Sequence, residues 1–194
     1  MKRVFLGIAV AWVGLAFGQP LSGSGLVEEL RKGGYVLYLR HTSTDFSQND
    51  RNMRSTEDCA SQRNLTDKGR EEAREIARQL KRLRVAPGPV LASPMCRTME
   101  TARLAFGKAE PTHDVRGGPA RPEDPKRYEP LRQWLSLEVR PGENRFISSH
   151  GNPFHAVAGP PYLAEGEIAV VRPEGNSAFS VVARVRVEDW KLLQ

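Results

Sequence analysis

Tyr35-Val36-Leu37-Tyr38-Leu39-Arg40-His41-Thr42 decides how the rest of this 194-residue chain is read. Five apolar or aromatic residues follow Gly33-Gly34 without a break and stop at Arg-His. An unbroken apolar run of that length reads as a strand buried on both faces, the kind found in parallel sheets. Open α/β sheets bind ligands just beyond the carboxyl ends of their strands. Arg40 and His41 stand where this strand would end. An imidazole there can serve as nucleophile or as general acid and base near neutral pH. A guanidinium is the preferred fork for phosphate or carboxylate. The stretch therefore predicts a strand that delivers an anion site centred on His41.

The flanking sequence repeats the pattern. Residues Leu26 to Arg31 read as a short helix leading into this strand. A long polar segment, Thr42 to Asn64, follows it; loops of that length inside compact domains are uncommon and often functional. Thr66 reads as an N-cap with Asp67 in the first turn. The helix it opens runs to about Arg84, with Ala73, Ile76, Ala77, Leu80 and Leu83 on one buried stripe. Val90 to Ser93 reads as a second strand and Met95 to Phe106 as the next helix, ended by Gly107. Arg97 then falls in a helix's first turn, where backbone N–H groups and the helix dipole already favour an anion. Glu110 to Pro130 reads as loop, and Tyr128 to Val139 contains a helical stretch. Arg145 to Ser149 is a third strand, again ending at a His, His150, beside Gly151 and Asn152. Pro153 to Val157 reads as one short helix. Glu167 to Arg172 and Ser177 to Val187 read as a terminal hairpin. Strands alternating with helices predict an α/β fold, a three-layer sandwich whose central, mainly parallel sheet is flanked by helices.

These residues resemble a known family. Leu39-Arg40-His41-Thr42 looks like the Arg-His-Gly signature of the histidine phosphatase superfamily, which shares its phosphoglycerate mutase-like fold with acid phosphatases. Leu65-Thr66-Asp67-Lys68-Gly69 with Ala73 looks like the start of the family's first helix. Ser93-Pro94-Met95-Cys96-Arg97-Thr98-Met99-Glu100-Thr101-Ala102 looks like its Ser-x-x-x-Arg-x-x-x-Thr-Ala block, and Ser148-Ser149-His150-Gly151 like its second His motif. The resemblance implies that His41 is the nucleophile and forms a phosphohistidine, while Arg40, Arg97 and His150 hold the phosphoryl oxygens. It implies no metal and no cofactor. Arg63 and Asn152 are candidate substrate contacts.

Two departures stand out. Thr42 replaces the family's Gly; its hydroxyl could donate to the phosphate. His150 is followed by Gly151-Asn152 rather than by the Asp that donates a proton in the acid phosphatase branch. The general acid is then sought at Glu165 or Glu167, or at Glu123 or Asp124. The likeness to small exported relatives with a Glu-Gly-Glu segment before their last strands points to Glu167.

The amino terminus carries a different signal. Lys2 and Arg3 precede an apolar run from Val4 to Phe17, and Ala16-Phe17-Gly18 offers small residues where a signal peptidase reads. Residues 1–18 are expected to be a secretory signal peptide and 19–194 a single domain, secreted or periplasmic, with no membrane span left after cleavage. Such a location argues against a cytosolic glycolytic mutase. The two cysteines, Cys59 and Cys96, would meet an oxidising compartment, where a bridge and two buried thiols both stand open. There are 29 basic and 23 acidic residues, a net charge of +6, two of those positive charges lying in the leader. The excess suits anionic ligands, but no basic stripe interleaved with aromatics suggests nucleic acid. The expected partner is a phosphorylated small molecule, an envelope glycolipid or a phosphoprotein. The rival expectation is an envelope protein of the same fold that binds phosphate without turnover.

Overall fold

A computed structural model describes residues 21–85, 87–116 and 126–194. The leader read at residues 1–18, and the acid candidates Glu123 and Asp124, lie outside the described residues. The elements run α1 (Gly23–Lys32), β1 (Val36–Arg40), α2 (Asp67–Arg82), β2 (Pro87–Ala92), α3 (Cys96–Phe106), β3 (Glu110–Pro111), α4 (Glu129–Ser136), β4 (Asn144–Ser149), α5 (Gly151–Ala158), β5 (Ile168–Gly175) and β6 (Ala178–Val185). One six-stranded sheet has the order β3-β2-β4-β1-β5-β6. β3, β2, β4 and β1 are parallel to their neighbours, and β5 and β6 add an antiparallel edge. The expected mixed α/β architecture is therefore present, with the terminal hairpin closing one side.

The unbroken apolar run of β1 follows from its central place. Leu37 and Leu39 point into one core with Leu26, Leu30, Ile76, Leu80 and Ala102, the buried faces of α1, α2 and α3. Val36 and Tyr38 point the other way, against Leu131, Leu135 and Phe154 of α4 and α5. Successive side chains of a strand face opposite sides, so a strand covered by helices on both must be apolar at every position.

β2 is longer than its sequence suggests. It starts at Pro87 and holds Pro89, and its pairing with β4 shifts register between Pro87 and Val90. Proline cannot donate to a ladder and is tolerated at such an irregularity. The hairpin turns on Asn176 and Ser177, both at positive φ (48° and 60°), as a two-residue turn between twisted strands requires. Two features carried no periodic signal. β3 has only two residues. The 3₁₀ turns at His113–Val115 and Val187–Leu192 are too short to show a period, although they bury Val115 and Trp190 completely.

The start of α2 grips the segment just after His41. Thr66 caps the helix by accepting the Gly69 N–H at 3.0 Å, and its own N–H donates to the Ser43 carbonyl at 3.1 Å. A Cβ on Gly69 would lie 2.0 Å from that same carbonyl oxygen. Backbone against backbone leaves nothing soft to yield. Gly69→Ala is expected to lower stability by roughly 1–3 kcal/mol, the usual cost of overpacking. Chemical denaturation measures it; an unchanged midpoint with an unchanged slope would contradict this packing.

Candidate active site

His41 directly follows β1 and is 2% exposed. Its backbone N–H donates to the Ser149 carbonyl at 2.9 Å, which ties the ends of β1 and β4 together. Nδ1 lies 3.0 Å from the Thr42 carbonyl. A carbonyl can only accept, so Nδ1 carries the proton and Nε2 keeps its lone pair. Burial, first, and then the charges of Arg97, Arg40 and Arg63 push the imidazole pKa down to about 3. Burial contributes more to keeping this histidine neutral than the guanidinium groups do.

That depression has a consequence for stability. The unfolded chain's histidine takes up a proton near pH 6.5, whereas the folded one resists until about pH 3. Between those values the unfolded state binds more protons, so stability falls as pH falls. His41 alone contributes a slope of about 1.4 kcal/mol per pH unit in that window. Denaturation midpoints from pH 7 down to pH 4 are expected to drop in wild type and to drop less in His41→Asn. Parallel curves would contradict a buried neutral imidazole.

Nε2 belongs to a polar cavity of about 370 Å³ at the carboxyl ends of β1 and β4. Arg40, Arg63, Arg97 and His150 line it with His41. Arg40 donates to the Leu163 carbonyl at 2.7 Å, lies 3.5 Å from Glu165 Oε1, and stacks over the Tyr162 ring, 5.2 Å from its centroid. Arg97, in the first turn of α3, donates to Asp50 Oδ1 at 3.1 Å and to the Arg63 carbonyl at 3.3 Å. The Nε atoms of Arg40, Arg63 and Arg97 are buried with no hydrogen-bond partner. The His150 ring meets His41 edge-on at 5.6 Å between centroids. Its Nε2 lies 2.9 Å from the Ser93 hydroxyl, and the Tyr38 hydroxyl donates to its carbonyl at 2.7 Å. Burial and the nearby Arg97 hold its pKa well below the ordinary value.

The structure thus brings His41, Arg40, Arg97, His150, Arg63 and Asn152 to one cavity. It places Thr42 and Glu167 elsewhere. Thr42 is fully buried, its hydroxyl 3.3 Å from that of Thr101, and it does not line the cavity. Its φ is not positive, so the backbone at position 42 does not demand glycine. Glu167 also lies off the cavity; its carboxylate accepts the Ala164 N–H at 2.7 Å and stands 4.0 Å from Arg184. Those contacts brace a turn. Its neighbour Glu165 is the one beside the histidine. It accepts from the Thr44 N–H and hydroxyl at 3.1 and 2.7 Å, and lies 3.9 Å from His41 Nδ1. Glu165 therefore sits behind the imidazole, on the side away from Nε2, and steadies the segment that follows it.

Four cavity residues escaped the sequence reading: Asp50, Met53, Arg116 and Tyr162. All lie in loops, where no period marks a face. One signal was readable in hindsight of geometry alone. A Cβ on Gly151 would come within 2.3 Å of the Tyr162 ring, so the glycine after His150 makes room for that tyrosine. Cys59 and Cys96 are bridged, with Cα atoms 5.6 Å apart across 37 residues. The bridge fastens the polar loop that carries Asp50 and Arg63 to the first residue of α3, next to Arg97. Closing a loop of that size stabilises by roughly 4 kcal/mol on the chain-entropy view. No group of three or more His, Cys, Asp or Glu stands together as metal ligands would among the described residues.

Residues 36–117 match the family model described as the histidine phosphatase superfamily (branch 1). Solved structures share the fold. The protein histidine phosphatase SixA, complexed with tungstate, is 21% identical, with 80% of this chain and 98% of that one covered at a TM-score of 0.58. A mycobacterial glucosyl-3-phosphoglycerate phosphatase with inorganic phosphate is 14% identical, covering 80% and 99% at 0.55. A phosphoserine phosphatase variant from Entamoeba histolytica, in complex with phosphoserine, is 12% identical, covering 79% and 98% at 0.54. No curated protein matches the sequence. The chain is thus similar to the histidine phosphatase superfamily over residues 36–117 and shares the fold of these solved structures.

Proposed function

We propose that this chain is an exported phosphatase that moves a phosphoryl group first to His41 and then to water. The observation that carries the reading is the state of His41: neutral, with Nδ1 held by the Thr42 carbonyl and Nε2 free, inside a cavity lined by Arg40, Arg97 and His150. Nε2 attacks phosphorus, the N–P bond forms, and the P–O bond to the leaving group breaks with its electron pair on that oxygen. The imidazole becomes a charged phosphohistidine, and hydrolysis by water restores the neutral ring and frees phosphate. Charge in such a transfer spreads over three equatorial oxygens, so positioning and cationic donors supply most of the catalysis. Arg40 and Arg97 supply permanently charged forks, and His150 closes the opposite wall.

The substrate is an exposed phosphate on a small molecule, an envelope glycolipid or a protein. Export is supported by the apolar leader that follows Lys2 and Arg3, and by the Cys59–Cys96 bridge, since disulfides persist in oxidising compartments. Residues 19–194 incubated with 4-nitrophenyl phosphate and a chelator test the reading. Hydrolysis that survives the chelator is expected. Binding of phosphate or vanadate with no hydrolysis of any ester would favour the rival, a phosphate-binding envelope protein.

A further inference from the structure

Arg97 stands in the first turn of α3, and that turn borrows its cap from elsewhere. The first N–H groups of a helix have no partner within it. Met95, the N-cap residue, makes no side-chain bond to them. The Cys96 N–H donates instead to Gln62 Oε1 at 2.9 Å. Gln62 belongs to the polar loop, 34 residues earlier in the chain, and is 1% exposed. Its Nε2 donates to the Thr56 carbonyl at 2.9 Å and to the Ser55 carbonyl at 3.4 Å. One buried amide thus directs its acceptor to α3 and its donors to the loop.

The residues next in the chain carry the consequence into the cavity. Arg63 follows Gln62, and Arg97 follows Cys96. Arg97 Nη1 donates to the Arg63 carbonyl at 3.3 Å and to Asp50 Oδ1 at 3.1 Å. The same Asp50 oxygen accepts the Arg63 N–H at 2.9 Å. Asn64 Nδ2 donates to the Cys59 and Gln62 carbonyls at 2.8 and 2.9 Å. The pairs Gln62-Arg63 and Cys96-Arg97 are therefore joined in one hydrogen-bonded block. Arg63 and Arg97 line the cavity, and Gln62 does not. The Cys59–Cys96 bridge also joins loop and helix, but the two links fix different things. The bridge limits how far the loop can leave α3. The Gln62 bond acts on the backbone N–H of Cys96 and so orients the helix turn that presents Arg97.

We infer that Gln62 is a positioning residue for Arg97: its amide holds the start of α3 against the polar loop so that the Arg97 guanidinium meets the phosphoryl group in the His41 cavity. The inference rests on the phosphatase reading and adds to it a residue that lines no part of the cavity. A buried amide is held to its partners because each group left unpaired loses its solvation without return. A shift of about 1 Å in a catalytic group costs up to about 10²-fold in rate. Since Gln62 acts through Arg97, the effect of losing it depends on Arg97 being there.

Gln62→Met keeps the length of the side chain but offers no N–H donor and only a weak acceptor. It is expected to lower kcat for 4-nitrophenyl phosphate by roughly 10–100-fold while KM changes by less than about threefold. In an Arg97→Ala background the same substitution should lower kcat by less than about threefold, because the donor it positions is gone. A merely structural role would cut kcat by the same factor in both backgrounds; that result, or wild-type kcat in Gln62→Met, overturns the inference. Calorimetric binding of vanadate, which takes up the five-coordinate geometry of a transferring phosphoryl group, needs no turnover. Gln62→Met should weaken vanadate by about tenfold or more and inorganic phosphate by less than about threefold, since transition-state analogues feel the lost alignment most. Equal weakening of the two anions, or none, overturns the inference. If no ester is hydrolysed, the phosphatase reading fails, and the vanadate-to-phosphate ratio still decides whether Gln62 positions Arg97. Gln62→Glu keeps an acceptor for the Cys96 N–H and is expected to fall between wild type and Gln62→Met; it carries the same comparisons should the methionine variant not fold.

Discussion

His41→Ala is expected to lower kcat/KM for any phosphate ester by roughly 10⁴-fold or more. The size follows from what the side chain does. Among the described residues that line the cavity, the other imidazole, His150, has its Nε2 engaged by the Ser93 hydroxyl. Loss of the attacking group removes the covalent route altogether, and positioning by the arginines alone leaves only a residual advantage over water. Binding should behave differently. His41 is neutral in the folded protein, so its removal takes away no cation and opens space. Inorganic phosphate is therefore expected to bind His41→Ala about as tightly as wild type. A variant that kept wild-type turnover would end the mechanism, and one that lost phosphate binding as well would assign His41 to the anion pocket instead of to the chemistry.

The second large effect belongs to Arg97. Arg97→Ala is expected to reduce kcat by roughly 10²–10³-fold, the usual loss when one preorganised donor to a charged transition state is removed. Arg97→Lys should recover less than a tenth of wild-type activity, because an ammonium restores charge without the planar fork. Stability should respond in the other direction. The Arg97 guanidinium is 7% exposed, and burial lowers its pKa against the pull of Asp50. Its neighbours in the cavity are also cationic. A cation held there under those conditions stabilises the fold little, so Arg97→Ala should shift the denaturation free energy by less than about 1 kcal/mol, or raise it. A variant that lost activity and several kcal/mol together would mark Arg97 as a structural ion pair with Asp50.

Much of this was legible in the chain, for a physical reason. A strand covered on both faces has no freedom in composition, so Tyr35 to Leu39 announced the sheet and placed Arg40 and His41 at its ligand-binding end. The strand end at His150 and the helix start at Arg97 followed the same rule. What the sequence left open lies in contacts between loops. Glu165 and Glu167 are two residues apart in an irregular turn, and no periodicity says which one faces His41; backbone geometry turns Glu165 toward Thr44 and His41 and Glu167 back onto Ala164. Thr42 was expected to reach a phosphate, but it is fully buried with its hydroxyl 3.3 Å from that of Thr101. Asp50 is one of many polar residues between Thr42 and Asn64, and only the fold brings it to Arg97.

The most direct test of the account is to trap the intermediate. Protein mixed with a phosphate ester and quenched in alkali within milliseconds would be digested and its peptides weighed. The account predicts phosphate on the peptide that contains His41, stable to base and labile to acid, absent from His41→Ala and lost on a longer delay before quenching. Phosphate on any other residue, or rapid turnover with none on His41, would contradict it.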